Sequence, residues 1–201
     1  SKRSKPAEVG HMAAGMATVG AGRNLLAEHP RYPSLSGRRV FVTGGGSGIG
    51  AAIVAAFARQ GALVAFVDNA EDASRTLVDR LAAEGYDRNW YRHCDVTDVA
   101  ALQQAMADAA RSLGSFHVLV NNVASDDRHA LHEVTPEYWD QRMAINLRPA
   151  FFAIQAVVPG MKDLGGGSII NLGSTGWQNK TGGYPAYATA KSSVNGLTRG
   201  L

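Results

Sequence analysis

An α/β chain with a doubly wound parallel sheet in a single domain is the fold that three features of these 201 residues predict. Short apolar runs alternate with longer segments of helical period. Glycine, aspartate or asparagine stands at the end of each of the first four runs. The alternation continues from about residue 31 to the last residue with no internal linker and no sequence repeat. Strands that alternate with helices in this way form right-handed βαβ units.

Each element has a local reason. "VFVT" is β-branched and aromatic, so it is a strand. From about Ser47 to Gln60 the residues are small and apolar with no breaker, which predicts a helix. Gly61 is its stop. "ALVAFV" is apolar throughout, as a strand covered on both faces of a parallel sheet must be. A helix over about 72–84 leads to a strand near "NWYRHC". A helix over about 99–113 leads to "FHVLV". One long helix is expected over about 136–161, then a strand at "GGSIINLG" and a helix from Pro185. The stretch "AINLRPAFFAIQAVVPGM" is apolar around most of its circumference, so it is expected to be covered on more than one side.

Composition narrows the function classes. The chain is 45% hydrophobic and 18% charged, as a globular protein with a sizeable core is. The net charge of +3 is matched by Lys2, Arg3 and Lys5 alone. The remainder is balanced, so neither nucleic acid nor a membrane surface is an expected partner. Cys94 is the single cysteine, which rules out an intrachain disulfide. No apolar run reaches the ~20 residues of a membrane span. Residues 1–30 read as a disordered leader, part of it a cloning remnant ("GHM"). A cytoplasmic setting is the default.

The glycines of "TGGGSGIG" lie between the first strand and the first helix. Glycine there permits a tight turn and close approach of a pyrophosphate. The helix start offers free N–H groups and partial positive charge. The spacing, with Gly44, Gly48 and Gly50, is GxxxGxG. Thr43, Gly44, Ser47, Gly48, Ile49 and Gly50 are the candidate dinucleotide-binding residues, so the sheet is of Rossmann type. Asp68 ends the second strand, where a carboxylate accepts hydrogen bonds from ribose hydroxyls and repels a 2′-phosphate. NAD is therefore expected over NADP. Asp95 and Val96 in "HCDV" and Asn122 in "NNVA" mark the ends of the third and fourth strands, where ligands bind in open α/β sheets. The asparagines there fit either a contact to the cofactor or support of the turn backbone.

"YPAYATAK" carries the candidate chemistry. Removing a carbinol proton near neutral pH requires a stabilised phenolate. Tyr187 and Lys191 are i, i+4, so the lysine places positive charge on the tyrosine's face of the helix. Tyr184 precedes Pro185, which pushes it out of the helix. Tyr187 is thus the candidate base and Tyr184 a candidate wall of a substrate pocket. "DDRHALHE" groups His129, His132, Asp126, Asp127 and Glu133, but not at HExxH spacing. No metal is expected.

In order, TGxxxGxG, an Asp ending the second strand, NNxA, an Asn in the long helix, a Ser after the fifth strand and YxxxK resemble the short-chain dehydrogenase/reductase family over about 38–201. That resemblance implies the serine that bonds the substrate oxygen at Ser174; Thr175 is a weaker candidate and Ser168 lies at the wrong end of its strand. It also implies Tyr187 as general base, Lys191 as the residue that lowers its pKa and holds the nicotinamide ribose, and Asn146 in a proton relay. Val123 and Ala124 stand where the family usually has Ala and Gly, implying a small adjustment of the cofactor turn. "NNVASDDRHAL" and "YWDQRMAINLR" are similar to sugar 1-dehydrogenases of that family, which oxidise an aldose to its lactone. Asp126, Trp177, Gln178 and Tyr184 are then candidate substrate residues. A homo-oligomer, dimer or tetramer, is implied too. The family continues past the YxxxK helix with further strands and a covering loop, so the chain is expected to be C-terminally incomplete. A carbonyl, 3-oxoacyl or cyclic-alcohol reductase is the alternative enzyme, and a non-catalytic dinucleotide-binding protein the alternative of another class.

Overall fold

A computed structural model describes residues 30–201, and Arg31–Leu201 make one compact unit. The expected leader lies outside the described residues, apart from Pro30.

Five strands form one parallel sheet in the order β3-β2-β1-β4-β5. They are β1 (Arg39–Thr43), β2 (Leu63–Asp68), β3 (Asn89–His93), β4 (Val118–Asn121) and β5 (Ser168–Asn171). The chain winds outward from β1 through β2 to β3. It then crosses to the other side of β1 for β4 and β5. The carboxyl ends of β1 and β4 are therefore the point where the winding reverses, and such a point opens a crevice.

Alternate residues of the central strands supply the two cores, as a two-residue period requires. Phe41, Ala65, Val67 and Leu119 pack with Leu102, Met106, Ile154 and Val157 of the helices on one side. Val40, Val42, Val64, Phe66 and Val120 pack with Val54, Leu77 and Leu81 on the other. All six residues of β2 are buried, which is why "LVAFVD" shows no polar alternation.

Helices α1 (Gly48–Arg59), α2 (Glu71–Ala83) and α3 (Val99–Leu113) follow the first three strands. Gly61 ends α1 with φ +82°, in the left-handed region that glycine enters without cost. Asp98 caps α3 by accepting the Ala101 N–H at 2.9 Å. Asp95 does not end β3. The strand stops at His93, and Asp95 begins a turn in which its Oδ1 accepts the Thr97 N–H at 2.9 Å.

The single long helix expected over 136–161 is two helices, α4 (Pro136–Asn146) and α5 (Arg148–Asp163). The chain breaks at Leu147 (φ −132°, ψ −54°). Pro149 explains it: proline has no N–H to continue the ladder, and its ring crowds the preceding turn. Proline is tolerated at the start of a new helix, and that is where Pro149 sits. α5 is buried along Pro149, Ala153, Ile154, Val157 and Met161, but Phe151 is 51% exposed. Among the described residues it is therefore covered on one side only. The last helix, α6 (Pro185–Arg199), begins at Pro185, with Tyr184 just outside it. No helix among the described residues is long and apolar enough to cross a membrane.

Candidate active site

A cleft of about 400 Å³ opens where the winding reverses, within the usual range for small-molecule sites. Gly44, Ser47, Gly48, Ile49 and Gly50 line one wall, with Asp68, Asp95, Val96 and Asn122 around it. Nine of the residues expected to hold a dinucleotide thus share one cleft. Thr43 does not line it. It is buried below, and its Oγ1 accepts the Asn122 N–H at 3.1 Å.

The glycine turn is shaped for a phosphate. Gly44 and Gly48 have φ of +70° and +52°. A Cβ on Gly50 would lie 1.7 Å from Gly44 O, so only glycine fits. A Cβ on Gly48 would meet nothing within 4 Å, so this backbone is open to an approaching group. No side chain caps the start of α1, which leaves its N–H groups to an outside acceptor. Asn122 Nδ2 donates to Gly44 O at 2.8 Å and Thr43 O at 3.2 Å. Asn122 therefore braces the turn as well as lining the cleft. Asp68 is fixed by two backbone donors, Gly46 N–H and Ala70 N–H, each at 2.8 Å. These residues fit a dinucleotide: an uncapped helix start and bare backbone for phosphate, and a fixed carboxylate at the end of β2 for ribose hydroxyls.

The cleft also includes Asn69, Cys94, Val123, Ala124 and Ile145, none of which was expected to bind. Asn69 follows Asp68 directly, and Cys94 precedes Asp95, so the signal in both cases was adjacency. Burial pushes the Cys94 thiol upward, as befits a small core residue. Ile145 comes from α4, and nothing local places it here.

Lys191 is 3% exposed. Its Nζ donates to Leu172 O at 3.0 Å and to Val123 O at 3.4 Å, at the ends of β5 and β4. Burial pushes the ammonium down to about 8 from 10.5. Carbonyl oxygens hold it without cancelling its charge. Tyr187 lies one turn earlier, half-buried, its ring edge-to-face with Tyr184 at 5.3 Å. Asn146 ends α4 beside the break. Its Oδ1 accepts the Ser125 N–H at 2.8 Å, and its Nδ2 donates to Ser125 O at 3.1 Å and Arg142 O at 3.0 Å. Asn146 and Lys191 line one internal cavity of about 10 Å³ with Asn121 and Asn171. Ser174 follows β5, and its Oγ accepts the Gly176 N–H at 3.1 Å, leaving its own proton to donate.

The residues expected to meet substrate divide. Asp126, Trp177 and Gln178 are exposed on the loops after β4 and β5. Tyr184 is buried, 6% exposed, with the Arg128 guanidinium 4.1 Å from its ring centroid. It is packed between loops and presents little surface. Both ring nitrogens of His129 have partners. Among the described residues no three His, Cys, Asp or Glu side chains converge as metal ligands.

The chain is similar to known proteins over most of its length. The chain is 49% identical over 171 residues to a probable galactose dehydrogenase of Rhizobium meliloti (strain 1021), covering 85% of this chain and 67% of that protein. It is 48% identical over 170 residues to a D-xylose 1-dehydrogenase of Caulobacter vibrioides, covering 85% and 66%. This chain thus spans about two thirds of the length of the curated relatives it matches. A short-chain dehydrogenase/reductase from Serratia marcescens BCRC 10948 superposes with a TM-score of 0.78 at 37% identity, over 84% of this chain and 68% of that one. The family model for short chain dehydrogenases matches residues 38–201, glycine turn and YxxxK helix included, and the chain belongs to that family.

Proposed function

We propose that this chain carries the dinucleotide-binding and catalytic residues of an NAD-dependent dehydrogenase that oxidises C1 of an aldose to the lactone. The 48–49% identity to proteins named as galactose and D-xylose dehydrogenases carries the substrate class. NAD, when bound, supplies the acceptor for the C1 hydride. Tyr187 Oη takes the proton of the C1 hydroxyl as the carbonyl forms. Ser174 Oγ–H donates to that oxygen and orients it. The positive charge of Lys191, one turn away, favours the phenolate form of Tyr187. Asn146 holds the loop after β4 against α4. Asp68 favours NAD, because a 2′-phosphate would face a carboxylate fixed by two amides.

A panel of aldoses and hydrophobic alcohols, each with NAD and NADP, tests this by near-ultraviolet absorbance of the reduced cofactor. An aldose with NAD should turn over best, and NADP should be poorer by about 100-fold in kcat/KM, since like charges brought together cost several kcal/mol. Preference for hydrophobic alcohols would replace the aldose reading with a carbonyl reductase. Cofactor binding without any turnover would favour a non-catalytic role.

The same reading includes a homo-oligomer. Met143, Leu147, Phe151, Phe152 and Leu197 line an apolar hollow of about 370 Å³ on the outer face of α4, α5 and α6. Phe151 and Phe152 meet edge-to-face at 5.4 Å, with Phe151 half in solvent. A second copy covering this face would bury it. Phe151→Asp is expected to halve the mass or lower it further in sedimentation equilibrium. An unchanged mass would remove this face as the interface.

A further inference from the structure

The start of α6 presents an unusual capping problem. Pro185 has no N–H, so Ala186 supplies the first backbone donor of the helix. Ala186 is buried, 1% exposed. The residue at the cap position is Tyr184, whose side chain makes no capping bond. The acceptor comes instead from the loop after β4. His129 Nε2 accepts the Ala186 N–H at 3.1 Å, from 57 residues away.

A ring nitrogen that accepts carries no proton, so this bond requires the tautomer with its proton on Nδ1. Nδ1 lies 2.8 Å from Asp127 O and 2.9 Å from Tyr138 Oη, so its proton has an acceptor. The Tyr138 ring packs edge-to-face on the imidazole at 4.9 Å. The His129 backbone adds a second tie, its N–H donating to Gly183 O at 2.9 Å. Arg128 continues the strap, with Nη1 donating to Gly182 O at 3.3 Å and its guanidinium over Tyr184. Tyr184 in turn meets Tyr187.

We propose that His129 is a positioning residue that caps α6 and thereby sets where Tyr187 stands in the site. The proposal rests on the reading of Tyr187 as the base. Loop 125–130 is tied at its other end to Asn146 through Ser125. One strap thus joins the break between α4 and α5 to the first turn of α6. Tyr187 follows directly after the capped residue, so loss of the acceptor frees the turn that aims it.

His129→Leu and His129→Gln, each made in the intact protein, test the role. Leucine fills the space with no acceptor. The glutamine side-chain oxygen reaches about where Nε2 lies. The leucine variant is expected to lose about 100-fold in kcat, the scale of a misplaced catalytic group, with KM for NAD unchanged. The glutamine variant should recover most of that loss. Amide exchange at Ala186, followed by NMR without substrate, should be slow in wild type and in the glutamine variant and fast in the leucine variant. Wild-type kcat in the leucine variant overturns the proposal, as does an equal loss in both variants. If wild type turns over no alcohol at all, the reading of Tyr187 as base fails separately. Ala186 exchange then decides alone, and equal exchange in wild type and the leucine variant overturns the capping role.

Discussion

Tyr187→Phe should abolish oxidation while leaving NAD binding intact. The substitution removes one oxygen and keeps the ring that meets Tyr184 at 5.3 Å. Helix α6 begins at Pro185, two residues before Tyr187, so its cap is untouched. General acid–base catalysis contributes about 10²- to 10⁴-fold, so kcat should fall at least 100-fold. Calorimetric titration should return the same NAD affinity as wild type, because the glycine turn and Asp68 are unaltered. Retention of more than about a tenth of wild-type kcat would assign the proton transfer to another group. Tyr184→Phe is the control. Its ring is packed by Arg128 and Tyr187, so phenylalanine should keep both packing and turnover.

Lys191→Met should show opposite effects on activity and stability. Methionine keeps an unbranched stem in the buried channel but loses the charge. The proposed proton transfer to Tyr187 then loses its neighbouring cation, and kcat should fall by about 100-fold or more. Stability responds through linkage. The folded state holds this ammonium at about 8, against 10.5 when solvated. Between those pH values the unfolded chain binds the extra proton, so the fold gains stability as pH rises through the window. Below about pH 8 the cost of the buried charge is fully present, on the order of 3 kcal/mol. Methionine removes it, and also removes two hydrogen bonds to carbonyls, each contributing about 1 kcal/mol. The cofactor-free variant should therefore be about 1 kcal/mol more stable at pH 7 and lose that advantage by pH 10.5. Urea midpoints for both proteins across that range measure it. Parallel pH profiles would show that Lys191 does not titrate as its burial implies.

The pairing of activity with instability has a structural cause. A lysine bonded only to carbonyls keeps its charge uncompensated, and under the proposed mechanism that charge is what acts on the Tyr187 phenol. Salt-bridging it to a carboxylate would stabilise the fold and weaken that action.

The order of strands and helices was legible in the sequence because it depends on short periods. "VFVT" and "LVAFVD" declared buried strands, and Gly61 declared a stop, through residues adjacent in the chain. The glycine turn and Asp68 were legible for the same reason: their geometry is set within a few residues. Tyr187 was separated from Tyr184 by Pro185, a backbone rule that needs no tertiary contact. The break at Leu147 is local as well, set by Pro149, though the apolar periodicity on either side masks it. Tertiary structure alone decided the rest. It seated Lys191 on carbonyls of Val123 and Leu172, 68 and 19 residues away. It buried Tyr184 under the Arg128 guanidinium. It also brought His129 from the loop after β4 to the Ala186 N–H at the start of α6. Periodicity states which residues share a face of one element. Which loop a buried N–H or ammonium finds as its acceptor is fixed only when the strands bring distant loops to one edge of the sheet.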